Sequence, residues 1–242
     1  MNLVIDVGNT LVKVGVFENE TLREKKFFPK EELLTYIENI SLFFPDIKNA
    51  LIAQVGRLEE HQVAQIQKRF SLLYLDQNTK VPFINRYSTP RTLGVDRIAL
   101  VSAAAKQYPL KNVLVIDAGT CITYDFISAS NEYFGGAISP GISLRYQSLH
   151  SFTHKLPLLN KEIPDDLIGN STTSSMHSGV IGGIVNEIDG FIENYKIRFP
   201  DLTVILTGGD AQFLRGSIKN DIFANSNFLL EGLNQILEYN VH

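Results

Sequence analysis

Apolar residues recur in one arrangement at two places along the chain. Leu3-Val4-Ile5 runs into Gly8-Asn9, and Val12, Val14 and Val16 then alternate with Lys13 and Gly15. A short apolar run followed by strict alternation predicts a strand, a tight turn and a second strand. The arrangement returns near the middle. Val113-Leu114-Val115-Ile116 leads into Asp117-Ala118-Gly119-Thr120, after which Ile122, Tyr124 and Phe126 alternate with smaller or polar residues. The segments align as IDVGNTLVKVGVF against IDAGTCITYDFI. Both place an aspartate at the end of an apolar strand, a glycine two positions later and a threonine close behind. A repeat half a chain apart predicts two related lobes, here residues 1–110 and 111–242. The boundary falls near Tyr108-Pro109-Leu110-Lys111, where a helical pattern ends.

Helical periodicity fills the intervals. Leu33, Leu34, Ile37 and Ile40 mark a helix over 31–44, and Val63, Ile66 and Phe70 one over 59–70. Val180, Ile181, Ile184, Val185, Ile188, Phe191 and Ile192 form a strong amphipathic stripe. Thr203-Val204-Ile205-Leu206 reads as a buried strand ending in Thr207-Gly208-Gly209-Asp210, and a last helix covers Leu229 to Tyr239. Gly135-Gly136-Ala137-Ile138-Ser139-Pro140-Gly141 is too rich in glycine for a regular strand and predicts a close-approach loop. Strands mixed with helices of this length imply an α/β protein, with mixed sheets flanked by helices.

Composition narrows the function classes. With 44% hydrophobic and 20% charged residues, the chain of 242 residues has an ordinary globular make-up. A net charge of -4 and the lack of a basic stripe argue against nucleic acid as a partner. One cysteine, Cys121, excludes an internal disulfide framework and fits a reducing compartment. No signal-peptide pattern and no bilayer-length apolar stretch is seen, so a cytoplasmic protein without a membrane is expected.

Phosphoryl transfer needs positioning and charge neutralisation more than covalent chemistry. Backbone amides of a glycine turn can cradle phosphate oxygens, and a nearby carboxylate can hold a metal ion or bridging water. Asp6-Val7-Gly8-Asn9-Thr10 offers this combination with Lys13 just beyond, and Asp117-Ala118-Gly119-Thr120 offers it again. A single D-x-G-x-T is a common turn chosen for its backbone geometry. Two copies, each ending an apolar strand, point to nucleotide binding, with one turn from each lobe gripping a triphosphate.

Between them lies Gly94-Val95-Asp96-Arg97, followed by a helical pattern. Asp96 is either a helix cap or a general base for a substrate hydroxyl. Arg97 either pairs with an acid or binds an anionic group through its forked donors. Spacing alone does not choose. No G-x-x-x-x-G-K-[ST] loop or G-x-G-x-x-G fingerprint is present. The five histidines lack zinc-ligand spacing, and Cys121 is expected to be a small buried filler.

Taken together, these motifs resemble the type III pantothenate kinases, of the acetate kinase, sugar kinase, Hsp70 and actin superfamily. The resemblance spans essentially the whole chain. It rests on D-x-G-N-T at Asp6 to Thr10, G-x-D-R at Gly94 to Arg97, and D-x-G-T at Asp117 to Thr120. G-G-x-I-x-P-G at Gly135 to Gly141 and T-G-G at Thr207 to Gly209 complete the set. The stretch Ala53-Gln54-Val55-Gly56 departs from it, since the family more often shows a serine-rich strand end there.

The resemblance implies two ribonuclease-H-like lobes, a duplicated actin-like ATPase fold. It implies ATP-dependent phosphorylation of pantothenate to 4'-phosphopantothenate, the first step of coenzyme A biosynthesis, with ATP, Mg²⁺ and a monovalent cation (potassium or ammonium). By the same resemblance Asp6, Val7, Gly8, Asn9, Thr10, Leu11, Val12 and Lys13 form the first ATP loop, and Thr120 contacts ATP. Asp96 is then the catalytic base, and Asp117 the residue at the monovalent cation. Tyr87, Gly94, Val95, Asp96, Arg97 and Thr172 (or its neighbour Thr173) contact pantothenate. A homodimer is implied as well. Two alternatives stand beside this reading: a kinase of the same superfamily for another small hydroxylated substrate, and a non-catalytic regulatory paralogue.

Overall fold

A computed structural model of the chain describes residues 1–8, 11–54 and 58–241. The chain divides into two compact units. One comprises Met1–Pro109, Asn131–Tyr133 and Asn227–His242, the other Leu110–Ser130 and Phe134–Ser226.

The first unit is built on strands β1 (Asn2–Val7), β2 (Val12–Glu18), β3 (Thr21–Phe28), β4 (Asn49–Gln54) and β5 (Ser71–Tyr74), in the order β3-β2-β1-β4-β5. β1, β2 and β3 form an antiparallel meander, and β4 and β5 add in parallel. Because side chains alternate across a strand, Leu3, Ile5 and Val7 face one side while Val4 and Asp6 face the other. The first side packs on α1 (Leu33–Phe43) and α2 (Glu60–Gln67) through Leu33, Ile37, Ile40 and Ile66. The second side is covered by α3 (Val95–Gln107) and by the last helix, α8 (Phe228–Val241). Buried Asn234 ties α8 to this sheet, accepting from Asn2 Nδ2 and donating to the Asn19 carbonyl, each at 2.9 Å. A short strand, β6 (Ile84–Asn85), pairs in parallel with Glu132 and Tyr133.

The second unit repeats the plan. Strands β7 (Val113–Ala118), β8 (Cys121–Ile127) and β9 (Glu132–Pro140, of which Phe134 to Pro140 lie in this unit) join β10 (Thr203–Thr207) and β11 (Phe223–Ala224). Their order, β11-β10-β7-β8-β9, is the order of the first sheet read from its other edge. β7 and β8 are antiparallel, and β10 and β11 add in parallel. Leu114, Ile116, Ala118, Ile122, Tyr124 and Phe126 pack against α4 (Ile142–Ser151), α5 (Thr172–His177) and α6 (Gly183–Arg198). A π-helical turn at Ser178–Gly182 joins α5 to α6. The short α7 (Ala211–Leu214) follows the turn after β10. Each unit is thus a ribonuclease-H-like α/β lobe.

Two expectations are corrected. The glycine-rich stretch expected to be a loop is the second half of β9, because Gly136 lets that strand cross β8 closely: a Cβ there would sit 1.5 Å from the Tyr124 carbonyl oxygen. Cys121 is exposed rather than a buried filler, since it opens β8 directly after the exposed Thr120.

Candidate functional site

In the first unit, Asp6 is the penultimate residue of β1, with its side chain on the face that α3 and α8 cover. It is 5% exposed, and Lys13 Nζ lies 3.3 Å from its Oδ2 across the antiparallel pair. Burial pushes the Asp6 carboxyl above its ordinary range; Lys13 opposes that rise and the Asp96 charge adds to it. The turn between the strands is closed by the Gly8 amide, which donates to the Leu11 carbonyl at 3.1 Å. Val7 and Val12 are buried and anchor its two ends, while Leu11 is exposed. Asn9 and Thr10 lie outside the described residues.

Asp96 sits in the first turn of α3. The helix is capped by Gly94, not by Asp96, whose Oδ1 accepts from the Arg97 amide at 2.8 Å. Val95 and Arg97 are buried, and the Arg97 guanidinium lies 5.5 Å from the Tyr87 ring centroid. Tyr87 in turn stacks on Tyr133, with centroids 6.0 Å apart. This cation–π stack places a cationic fork beside the helix start that carries Asp96. Asp6, Lys13, Asp96, Arg97 and Tyr87 therefore gather in one unit.

In the second unit, Asp117 is the penultimate residue of β7 and is flanked by Thr123 on β8 and Thr207 on β10. The Gly119 amide donates to the Cys121 carbonyl, closing a two-residue turn at Gly119 and Thr120. The Thr120 carbonyl then accepts from the Gly141 amide at 3.0 Å, so the start of α4 buttresses the turn. Gly208 (φ +97) presses on the other side of Asp117, and the Asp210 amide donates to the Ala118 carbonyl at 2.9 Å. Thr172 opens α5 and lines a groove of about 740 Å³ with Arg145, Ser175 and Met176. Among the described residues, no group of three or more His, Cys, Asp or Glu side chains could hold a metal ion.

The sequence did not single out Thr123, Arg145 or Glu187. Thr123 carries a readable signal, because in the strand–turn–strand repeat it takes the place of Lys13. Arg145 and Glu187 are brought together across 42 positions by tertiary packing and leave no local trace.

A family model described as type III pantothenate kinase matches residues 2–194. The chain belongs to the type III pantothenate kinase family. A relative from Christiangramia forsetii, named type III pantothenate kinase, is 53% identical over 240 residues, covering 99% of each chain. One from Flavobacterium johnsoniae bearing the same name is 48% identical over 241 residues, covering 100% of this chain and 99% of that one. Among solved structures, the chain resembles a ROK hexokinase from Thermus thermophilus with a TM-score of 0.55 at 11% identity. That match covers 99% of this chain and 98% of the other. At that identity the likeness speaks for the fold, the one that sugar kinases share.

Proposed function

We propose that the chain moves the γ-phosphate of ATP onto the primary hydroxyl of pantothenate, giving 4'-phosphopantothenate, the first step of coenzyme A biosynthesis. The carrying observation is the family membership, and the first unit adds the chemistry. There buried Asp6 pairs with the partly exposed Lys13 at a glycine turn, and Asp96 lies close enough to Asp6 for their charges to interact.

In this reading Asp6 to Lys13 bind the ATP phosphates, with Thr120 as a further ATP contact. Mg²⁺ bound with ATP would neutralise charge on the phosphates, needing few protein ligands because it dehydrates reluctantly. Asp96 orients the pantothenate hydroxyl and accepts its proton as the oxygen attacks in line. The bond from the γ-phosphorus to the bridging oxygen breaks, and ADP leaves. Arg97, held over Tyr87, takes the pantothenate carboxylate, and Gly94, Val95, Tyr87 and Thr172 line the substrate.

Asp117 is the residue for a potassium or ammonium ion. The residues present fit such an ion: a carboxylate between two threonines is an all-oxygen set suited to a hard cation, and Thr123 Oγ1 is buried with no hydrogen-bond partner among the described residues. Bound there, the ion would supply positive charge against the phosphates. A homodimer acting in the cytoplasm completes the reading. No described helix is long and apolar enough to cross a membrane.

Asp96→Asn tests the base assignment. It should retain ATP binding and lose roughly a hundredfold or more in kcat, the usual scale for general-base loss. Turnover near the wild-type level would overturn the assignment.

A further inference from the structure

The two repeats differ at one position of their ladders. In the first, Val7 pairs with Val12, and one step inward Asp6 faces Lys13. In the second, Ala118 pairs with Ile122, and one step inward Asp117 faces Thr123. The ladder, rather than the turn, defines this equivalence, because the second turn is the shorter. On the neighbouring parallel strand Asp6 faces Ala53, whereas Asp117 faces Thr207. Cross-strand partners share a face with their Cβ atoms about 5 Å apart, so these side chains are immediate neighbours.

The first aspartate therefore has an ammonium group across from it and a methyl group beside it. The second has two threonines. Thr123 is 9% exposed, and its Oγ1 has no hydrogen-bond partner among the described residues. Buried hydroxyls are rarely left that way, which points to a ligand that accepts oxygen lone pairs.

We propose that Thr123 is a ligand of the monovalent cation assigned to Asp117. That ion then supplies, in the second repeat, the positive charge that Lys13 supplies covalently in the first. The inference rests on the cation reading of Asp117 given above. It explains why one copy of a duplicated motif would recruit an ion: the lysine of its twin is replaced by a neutral oxygen donor.

The test is a thermal unfolding titration of the full chain, with Mg²⁺ and a non-hydrolysable ATP analogue. Potassium chloride is compared with choline chloride at equal ionic strength. The wild-type midpoint should rise with potassium. Thr123→Val, close in shape but without the hydroxyl, should need about tenfold more potassium for half the rise, the scale on which metal sites respond to a lost partner. Thr123→Lys should unfold at a raised midpoint in choline and ignore potassium. A wild-type midpoint equal in both salts would overturn the proposal, as would a Thr123→Val titration that overlays the wild type. If Thr123→Lys does not fold, the valine variant decides alone. Wild-type phosphorylation of pantothenate, assayed in parallel, separates failure of this inference from failure of the kinase reading.

Discussion

Gly208 lies so close to Asp117 that a Cβ added to it would come within 2.3 Å of the carboxylate Oδ1. It would stand equally near the Ala118 carbonyl oxygen. The backbone at Gly208 has φ +97, a conformation L side chains rarely adopt. Gly208→Ala is therefore expected to combine strain of about 1–3 kcal/mol with displacement of the Asp117 carboxylate. Thermal unfolding should show the lower midpoint, and the potassium concentration for half-maximal turnover should rise. Gly209, where an added Cβ meets nothing within 4 Å, is the control: Gly209→Ala should leave both readings near the wild type.

Asp6 links stability to pH in the direction opposite to an ordinary surface carboxylate. Burial raises its folded-state value above the usual 3.8, so the native chain holds this proton more tightly than the unfolded chain. The sign follows: its contribution to stability is full below 3.8 and is lost as pH rises through the folded-state value. Ionised Asp6 thus costs stability at neutral pH. Asp6→Asn should be at least as stable as the wild type at pH 7, by denaturant unfolding, with the difference shrinking in acid. Its turnover should collapse. A variant less stable at pH 7 than the wild type would show that the Lys13 pair outweighs the burial.

Arg145 and Glu187 brace the second turn from behind. Arg145 Nη2 donates to Glu187 Oε2 at 2.5 Å and to Ser139 Oγ at 3.0 Å, while its Nε donates to the Pro140 carbonyl at 2.9 Å. Glu187 Oε1 also accepts from the Tyr124 hydroxyl, and burial raises the Tyr124 ionisation well above its ordinary range. Pro140 leads directly into Gly141, whose amide holds the Thr120 carbonyl. With side chains 20% and 24% exposed, the pair is sheltered without being fully dry. Glu187→Gln should cost about 1.5–3 kcal/mol, the range for a charged hydrogen bond. It should also raise KM for ATP more than it lowers kcat. Equal KM values for mutant and wild type would confine the pair to stability.

Much of the fold was legible because the chain is locally consistent. Leu3 to Ile5 and Val12 to Val16 alternate as strands should, and the stripe from Val180 to Ile192 marks its helix, although Ser178–Gly182 adds a π turn that periodicity does not encode. The glycines of β9 misled because composition registers a missing side chain, whereas the structure uses it to bring Gly136 against Tyr124. Packing of α8 on α3 and β1 is a long-range event, carried by Asn234 and the small Gly232 against Ala99, and no local pattern announces it. In the sequence, Asp6, Asp96 and Asp117 stood out by their place beside turns and helix starts. The Tyr87–Arg97 stack emerges only when the loop folds onto α3, because ten positions of sequence say nothing about a ring and a guanidinium meeting.

The most direct test of the account is ATP-dependent conversion of pantothenate by the purified chain, with Mg²⁺, in potassium and in sodium buffer. The product is followed by mass and by the site of phosphorylation. The account predicts 4'-phosphopantothenate, formed with turnover that depends on potassium. A folded chain that yields no phosphorylated pantothenate in either buffer would contradict it.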